Sequence, residues 1–429
     1  MTDDTDTHYR RLIVAAKNWN FSIIFGVHSI WGFGAAFISP VALLPVFLQE
    51  LGASNVVIGL IPALQMFCMT APQIFAAQLT GPLPVKKNVF TFVHYPSALA
   101  LGVLALATWQ WGKSEPSLVV FITLVCLSVH GLGLSFAIPM WMNLVAKLLP
   151  PESLGRHFGL IFFGGGITGG IGAFLAKWLN ETSEFPDGFA IGFIIACVFT
   201  GVGVTSFFFL KEPPHPEPAP KKSLIQFLKA LKNDLAGKTD YIYYLSSLIC
   251  SALAGMAIPF YAVSAREEFG LGVEVGATFT LLLILSQVVG APVAGVVGDR
   301  IGFRSLAFIP PLLSIVAALL ALFGGHAWCF YLIFIVGGLA ASADSVATIN
   351  LPIEFCPNTD KTSFLAVRGT VISPVQALAP ILGGVMADHF EGRFSIPFTG
   401  AVIFQAAALV ILLFFVGEPR KTDSAGNRD

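Results

Sequence analysis

Long apolar runs alternate with short polar turns along nearly the whole chain, and the runs lie near 20–48, 55–80, 88–111, 117–146, 157–179, 188–210, 241–265, 273–298, 305–324, 327–352, 363–388 and 394–416. A helix that crosses a bilayer needs about 20 consecutive apolar residues, whereas a barrel strand needs only about 10 in alternation. The pattern therefore predicts an all-α membrane protein with twelve transmembrane helices.

Basic residues orient these helices, because Lys and Arg close to helix ends are retained on the cytoplasmic side. With both termini inside, Lys113, Lys177, Arg266 and Arg393 fall on outer segments, Arg368 lies within a run, and the other nineteen of the twenty-four Lys and Arg are cytoplasmic. The segment between the sixth and seventh runs, containing PPHPEPAPKK, is too polar and proline-rich to span and reads as a stiff linker. After it Leu224, Phe227, Leu228, Leu231 and Leu235 share one helical face, which suits a short amphipathic helix capped by Ser223 at the inner membrane surface. The expected division is a cytoplasmic segment 1–19, a six-helix bundle 20–210, a linker 211–239, a second six-helix bundle 240–416 and a cytoplasmic tail 417–429.

The two halves repeat. ELG at Glu50–Gly52 recurs as EFG at Glu268–Gly270, and the same shift of 218 carries Lys86 onto Arg304. Asn143, Leu144 and Pro150 recur as Asn350, Leu351 and Pro357, FAIGF from Phe189 as FSIPF from Phe394, and KEP ending at Pro213 as GEP ending at Pro419. Matches in the same order imply a duplicated unit.

Composition agrees with this class: 55% of the 429 residues are hydrophobic, 11% are charged, and the mean hydropathy is +0.78. A net charge of −1 gives no reason to expect nucleic acid as a partner. The six cysteines sit in or at the ends of apolar runs without metal-type spacing and are expected to be free thiols.

One short charged turn separates the eighth and ninth runs. GVVGDRIGFR, with Gly295, Asp299, Arg300, Gly302 and Arg304, resembles the cytoplasmic-loop motif of the major facilitator superfamily. The resemblance implies inverted three-helix repeats in each half, a central cavity lined by helices one, four, seven and ten, and rocking between two access states. It also implies a latch in which Asp299 meets the positive N-terminal end of the fifth helix, near Arg156 and His157; alternatively Asp299 stabilises its own turn while Arg300 and Arg304 set topology. In the first half the matching positions are Gly81, Pro82 and Pro84, and only Lys86 survives. The antiporter motif of the family's drug exporters lacks its glycine–proline pair in this chain.

An ionisable side chain is costly in lipid, so those deep in the runs are candidate functional groups. They are His28, His130, Asp344 and Arg368. Three readings of Asp344 and Arg368 stay open: a structural ion pair, a substrate or proton site, and a water-exposed cavity wall. The histidines suit a proton, an anion, a metal, or simple satisfaction by a carbonyl. Trp31, Gln65, Trp141, Tyr261 and Gln287 are candidates for aromatic or amide cavity lining, and His94, on the peripheral third helix, is set aside. The glycine run Gly164–Phe174 has the four-residue spacing that permits close helix approach and is expected to pack between halves.

Gly112–Ser114 and Gly237–Thr239 lack the upstream glycine of a phosphate loop, since Ala107 and Lys232 occupy it. No cofactor fingerprint or catalytic constellation appears, so an enzyme is not expected and no cofactor is assigned. The leading expectation is a monomeric, gradient-driven permease for a small molecule or ion in a bacterial cytoplasmic membrane. A permease for a metal ion such as iron or a metal chelate, and a non-transporting receptor or assembly factor, are the competing readings.

Overall fold

A computed structural model describes residues 3–70, 72–80, 83–149, 154–214, 238–355, 361–390 and 392–418. Among the described residues the regular elements are helical: α1 Asp3–Ala35, α2 Leu43–Glu50, α3 Asn55–Thr70, α4 Gln73–Thr80, α5 Lys87–Trp111, α6 Pro116–Leu148, α7 Leu154–Thr182 and α8 Asp187–Ser206 come first. They are followed by α9 Thr239–Ala254, α10 Phe260–Phe269, α11 Val275–Ile301, α12 Phe303–Leu306, α13 Ile309–Phe323, α14 Ala327–Glu354, α15 Lys361–His389 and α16 Ser395–Phe415. Counting bent helices as one, eleven are long and apolar enough to cross a membrane, and Asn55–Thr70 is a shorter apolar helix. The expected amphipathic helix of the linker lies outside the described residues, as do Gly81 and Pro82.

Proline explains why three runs are broken. The first run passes from α1 through a 3-10 turn at Ala36–Ile38 and resumes as α2 beyond Pro40, and the seventh passes from α9 through Gly255–Ala257 and resumes beyond Pro259 as α10. The second run is divided into α3 and α4, with Pro72 between them. A proline ring cannot donate to the helical ladder and crowds the preceding turn. Both resumed helices, α2 and α10, end on the glycine of the repeated tripeptide: Gly52 has φ +77° and Gly270 φ +62°, a left-handed conformation that costs a side chain-bearing residue about 1–2 kcal/mol. The repeat thus conserves a bend and a stop.

The chain forms two compact units, one of Met1–Ser39 with Cys68–Ser223 and one of Pro40–Phe67 with Leu224–Asp429. In the first, Ile24, Phe90, Met140, Leu144, Leu148, Ile161 and Phe207 make the core. Its α5 turns Phe92, Leu99 and Leu106 outward at 64, 66 and 68% exposure, an apolar stripe at heptad spacing suited to lipid rather than water. Three glycines of the run in α7 admit α1 of the same unit. A Cβ on Gly164 would lie 2.6 Å from the Phe25 ring, on Gly165 2.6 Å from the His28 ring, and on Gly172 2.4 Å from the Phe33 carbonyl. Asn180, which opens the Asn180–Glu181–Thr182 glycosylation sequon, is 7% exposed in the last turn of this helix, so the sequon is helical.

Each unit carries a polar clasp at its basic end. Glu212, just beyond α8, accepts the backbone N–H groups of Lys86 and Lys87 at 2.9–3.0 Å, so a carboxylate meets the exposed donors at the start of α5. The same carboxylate pairs with Lys147 at 2.7 Å, the two side chains being 0 and 4% exposed. Lys87 Nζ donates to the Phe208 and Leu210 carbonyls at 3.0 and 2.6 Å. In the second unit Arg304 donates to the carbonyls of Val416, Leu412 and Leu413 at 2.7, 3.2 and 3.2 Å, closing the end of α16. The shift of 218 matches Arg304 to Lys86, but the equivalent helix-end contact is made one residue later by Lys87; Lys86 Nζ turns to the Leu83 carbonyl at 2.9 Å.

Candidate substrate cavity

In the second unit α9, α10, α11, α13, α14, α15 and α16 surround a cavity of about 310 Å³. Its wall is largely aliphatic, with Leu248, Ile258, Leu283, Ile333 and Ile372, and it is interrupted by a small set of polar groups. Asp344 comes from the middle of α14 and Arg368 from α15, and both face the cavity. Each is close enough to the Tyr244 hydroxyl to act on it electrostatically, and the guanidinium acts likewise on the carboxylate. Among the described residues no direct ion pair joins Asp344 to Arg368.

Two donors in this cavity are left over. Arg368 Nε and the Tyr244 hydroxyl are buried without a hydrogen-bond partner, and Tyr244 is 1% exposed. An unmet buried donor costs about 1–3 kcal/mol, more when charged. Other polar wall groups are already engaged: Ser251 donates to Gln405 Oε1 at 3.1 Å and the Thr348 hydroxyl to the Asp344 carbonyl at 2.6 Å. Tyr261 and Gln287 also line the cavity, Tyr261 with its ring stacked on Phe398 at 4.9 Å between centroids. All four candidates chosen in the second half of the sequence are therefore brought to one place.

The first-unit candidates form a different arrangement. His28 stacks on Trp141 at 5.5 Å, meets Phe162 edge-on at 5.1 Å and lies 6.0 Å from Trp31, so three of the selected residues share an aromatic cluster. His130 is 1% exposed, and its Nδ1 faces the Ser97 carbonyl at 3.5 Å while the Ser97 hydroxyl donates to the His130 carbonyl at 3.2 Å. That is helix-to-helix stitching between α5 and α6, away from the aromatic cluster. Gln65, on α3, is half-buried with its Oε1 unpartnered.

His94, set aside from the sequence, is 5% exposed, and both its ring nitrogens lack partners. Tyr244, Ser251, Gln376 and Gln405 line the cavity, and uncharged polar residues in apolar runs carry no signal in the sequence until packing turns them toward a cavity. Among the described residues no group of three His, Cys, Asp or Glu side chains is placed to hold a metal ion.

The loop motif is partly explained by its own unit. Gly302 takes φ +96°, a conformation disfavoured for L side chains, and a Cβ there would lie 3.3 Å from Glu418 Oε1. Arg304 is the helix-end clamp described above, and it stacks over Phe308 at 5.2 Å. Asp299 and Arg300 are exposed near the end of α11, while Gly295 has open space beside it. In the other unit Arg156 is exposed, and His157 is buried edge-on to Phe21 at 4.6 Å.

A model of the Major Facilitator Superfamily matches residues 24–288 and again 243–429. The chain belongs to that superfamily. As a major facilitator it is a multi-pass membrane transporter protein rather than an enzyme. It is 23% identical over 189 residues to the quinolone resistance protein NorA of Staphylococcus aureus strain Mu50, covering 44% of this chain and 48% of that one. It is also 23% identical over 190 residues to the class H tetracycline resistance protein of Pasteurella multocida, covering 44 and 46%. The matched region thus spans about half the length of these curated relatives. The fold is similar to that of a nucleoside transporter NupG variant, with TM-score 0.70, 13% identity and coverage of 92 and 99%. A bacterial homologue of the human lysosomal transporter Spinster gives TM-score 0.65 at 14% identity, covering 96 and 97%.

Proposed function

We propose that this major facilitator is a secondary active transporter that binds a small solute in the cavity of its second unit and moves it by alternating access. The observation that carries the reading is the cavity itself: a carboxyl group, a guanidinium and a buried phenol are kept in an apolar, membrane-embedded bundle, where such groups are expensive unless used. Asp344 is the group suited to carrying a proton, because its carboxylate is not locked in a direct ion pair with Arg368. Transport is driven by an ion or proton gradient, in keeping with the lack of a nucleotide-binding loop in the sequence.

Proteoliposomes containing the full chain test this. Solute uptake or exchange should respond to an imposed proton or sodium gradient, and Asp344→Asn should abolish gradient-driven accumulation while leaving a monodisperse protein. Undiminished accumulation in Asp344→Asn would remove the coupling assignment, and no flux of any solute would remove transport.

A further inference from the structure

The charges of the cavity carry information about its cargo. Asp344 and Arg368 line one partly open cavity without a direct ion pair between them, although the guanidinium acts electrostatically on the carboxylate. The Nε–H of the Arg368 guanidinium is buried without an acceptor from the protein. The neighbouring phenol of Tyr244, also unused, adds a second donor beside it. On the carboxylate side, Thr348 is occupied with the Asp344 main-chain carbonyl, so its hydroxyl is not serving the acid.

Consider the solutes that such a wall can take. A monoanion would meet Arg368 and Tyr244 but leave the Asp344 carboxylate facing a like charge. A monocation would meet Asp344 but crowd against the guanidinium. An uncharged solute would leave both charges desolvated by its arrival, and an unpaired buried charge is among the costliest defects in a protein interior. A solute that carries one carboxylate and one ammonium, a few ångströms apart, satisfies both at once and enters with no net charge.

We infer that the substrate is a small zwitterion, its carboxylate held by Arg368 and Tyr244, its ammonium by Asp344, and its apolar portion against Leu248, Leu283 and Ile372. The inference rests on the transport reading above and deepens it. The volume of about 310 Å³ suits a single amino acid-sized or somewhat larger molecule.

The test uses matched ligands on the unaltered full chain. Thermal shift of the purified protein and exchange in proteoliposomes are measured with the α-amino acids of uncharged side chain and glycine betaine as zwitterions. The same amino acids as N-acetyl derivatives remove the positive charge, and as amides they remove the negative one. Nucleosides and sugars serve as uncharged probes.

At least one zwitterion should stabilise the protein and exchange, with both singly charged derivatives weaker by at least tenfold. Arg368→Gln and Asp344→Asn should each lose at least tenfold in affinity, with Arg368→Lys retaining part of it. Derivatives that bind as well as the parent, or exchange confined to singly charged or uncharged solutes, would overturn the zwitterion while leaving transport intact. No exchange of any probe would overturn both. Because the ligand series needs no substitution, a variant that fails to fold does not blunt the result.

Discussion

Gln49 and Glu267 are hydrogen-bonded side chain to side chain at 3.0 Å, and they stand 218 positions apart, the same shift that lays ELG on EFG. Two positions related by the repeat shift thus touch each other within the second unit. Beside them Arg266 binds Gln49 Oε1 at 3.2 Å and pairs with Glu50, so the ends of α2 and α10 are joined by three polar contacts. Removing Arg266 should loosen the join by up to about 1 kcal/mol, the upper range for partly exposed pairs. In Arg266→Ala a cysteine at Val41, which lines the cavity, should be alkylated by an impermeant maleimide up to about fivefold faster. An unchanged rate would mean that the join is not holding this end closed.

Asp388 near the end of α15 accepts the backbone N–H groups of Asn55 and Val56 at 3.1 and 3.0 Å and the Asn55 side chain at 2.8 Å. It acts as the N-cap acid of α3, although it is borrowed from another helix. Loss of a capping side chain costs about 1 kcal/mol. Asp388→Ala should lower the melting temperature in detergent, and Asp388→Asn, which keeps one acceptor, should lower it less.

Two lysine–glutamate pairs of the first unit differ sharply in burial and should differ in worth. Lys147 and Glu212 are 4 and 0% exposed, whereas Lys113 and Glu184 are 59 and 87% exposed. Lys147→Ala leaves Glu212 buried and undercompensated, a change expected to cost about 3–5 kcal/mol. Lys113→Ala should fall within experimental error of the parent protein in the same thermal measurement. Equal losses would contradict the role assigned to Glu212 as the anchor of α5.

Glycines in α1 give a paired test of packing. A Cβ on Gly32 would lie 2.3 Å from the Gly165 carbonyl oxygen, while one on Gly26 meets nothing within 4 Å. Gly32→Ala should destabilise by about 1–3 kcal/mol through overpacking. Gly26→Ala should be neutral or stabilising by up to about 1 kcal/mol, because alanine is the better helix former. Thermal denaturation of the two variants side by side decides it.

Helix number, the duplication and the family were legible because they are written in run length, in repeated tripeptides and in one charged loop. The cavity was legible mainly through its charges: Asp344 and Arg368 stand out in apolar runs, Tyr261 follows from the expected seventh cavity helix, and Gln287 stands out as an amide in the eighth run. Tyr244 did not stand out, since a tyrosine beside Tyr241 and Tyr243 looks like ordinary core until its hydroxyl is seen to lack a partner. Glu212 was read as part of a repeat and not as the acid that caps α5, because that pairing joins residues 126 positions apart. The bends at Pro40 and Pro259 were hidden by apolar runs long enough to pass for single helices.

The segment Pro40–Phe67 belongs by its packing to the second unit although it is made with the first. Asn55 waits for Asp388, which follows 333 residues later. At about 5–20 residues per second that interval is on the order of twenty seconds to a minute. During biogenesis the early helices therefore enter the membrane with one piece still unhoused, and the last third of the chain is needed to house it. Cutting the gene within the linker would not yield two self-sufficient fragments: the first would carry a stretch whose place is in the second.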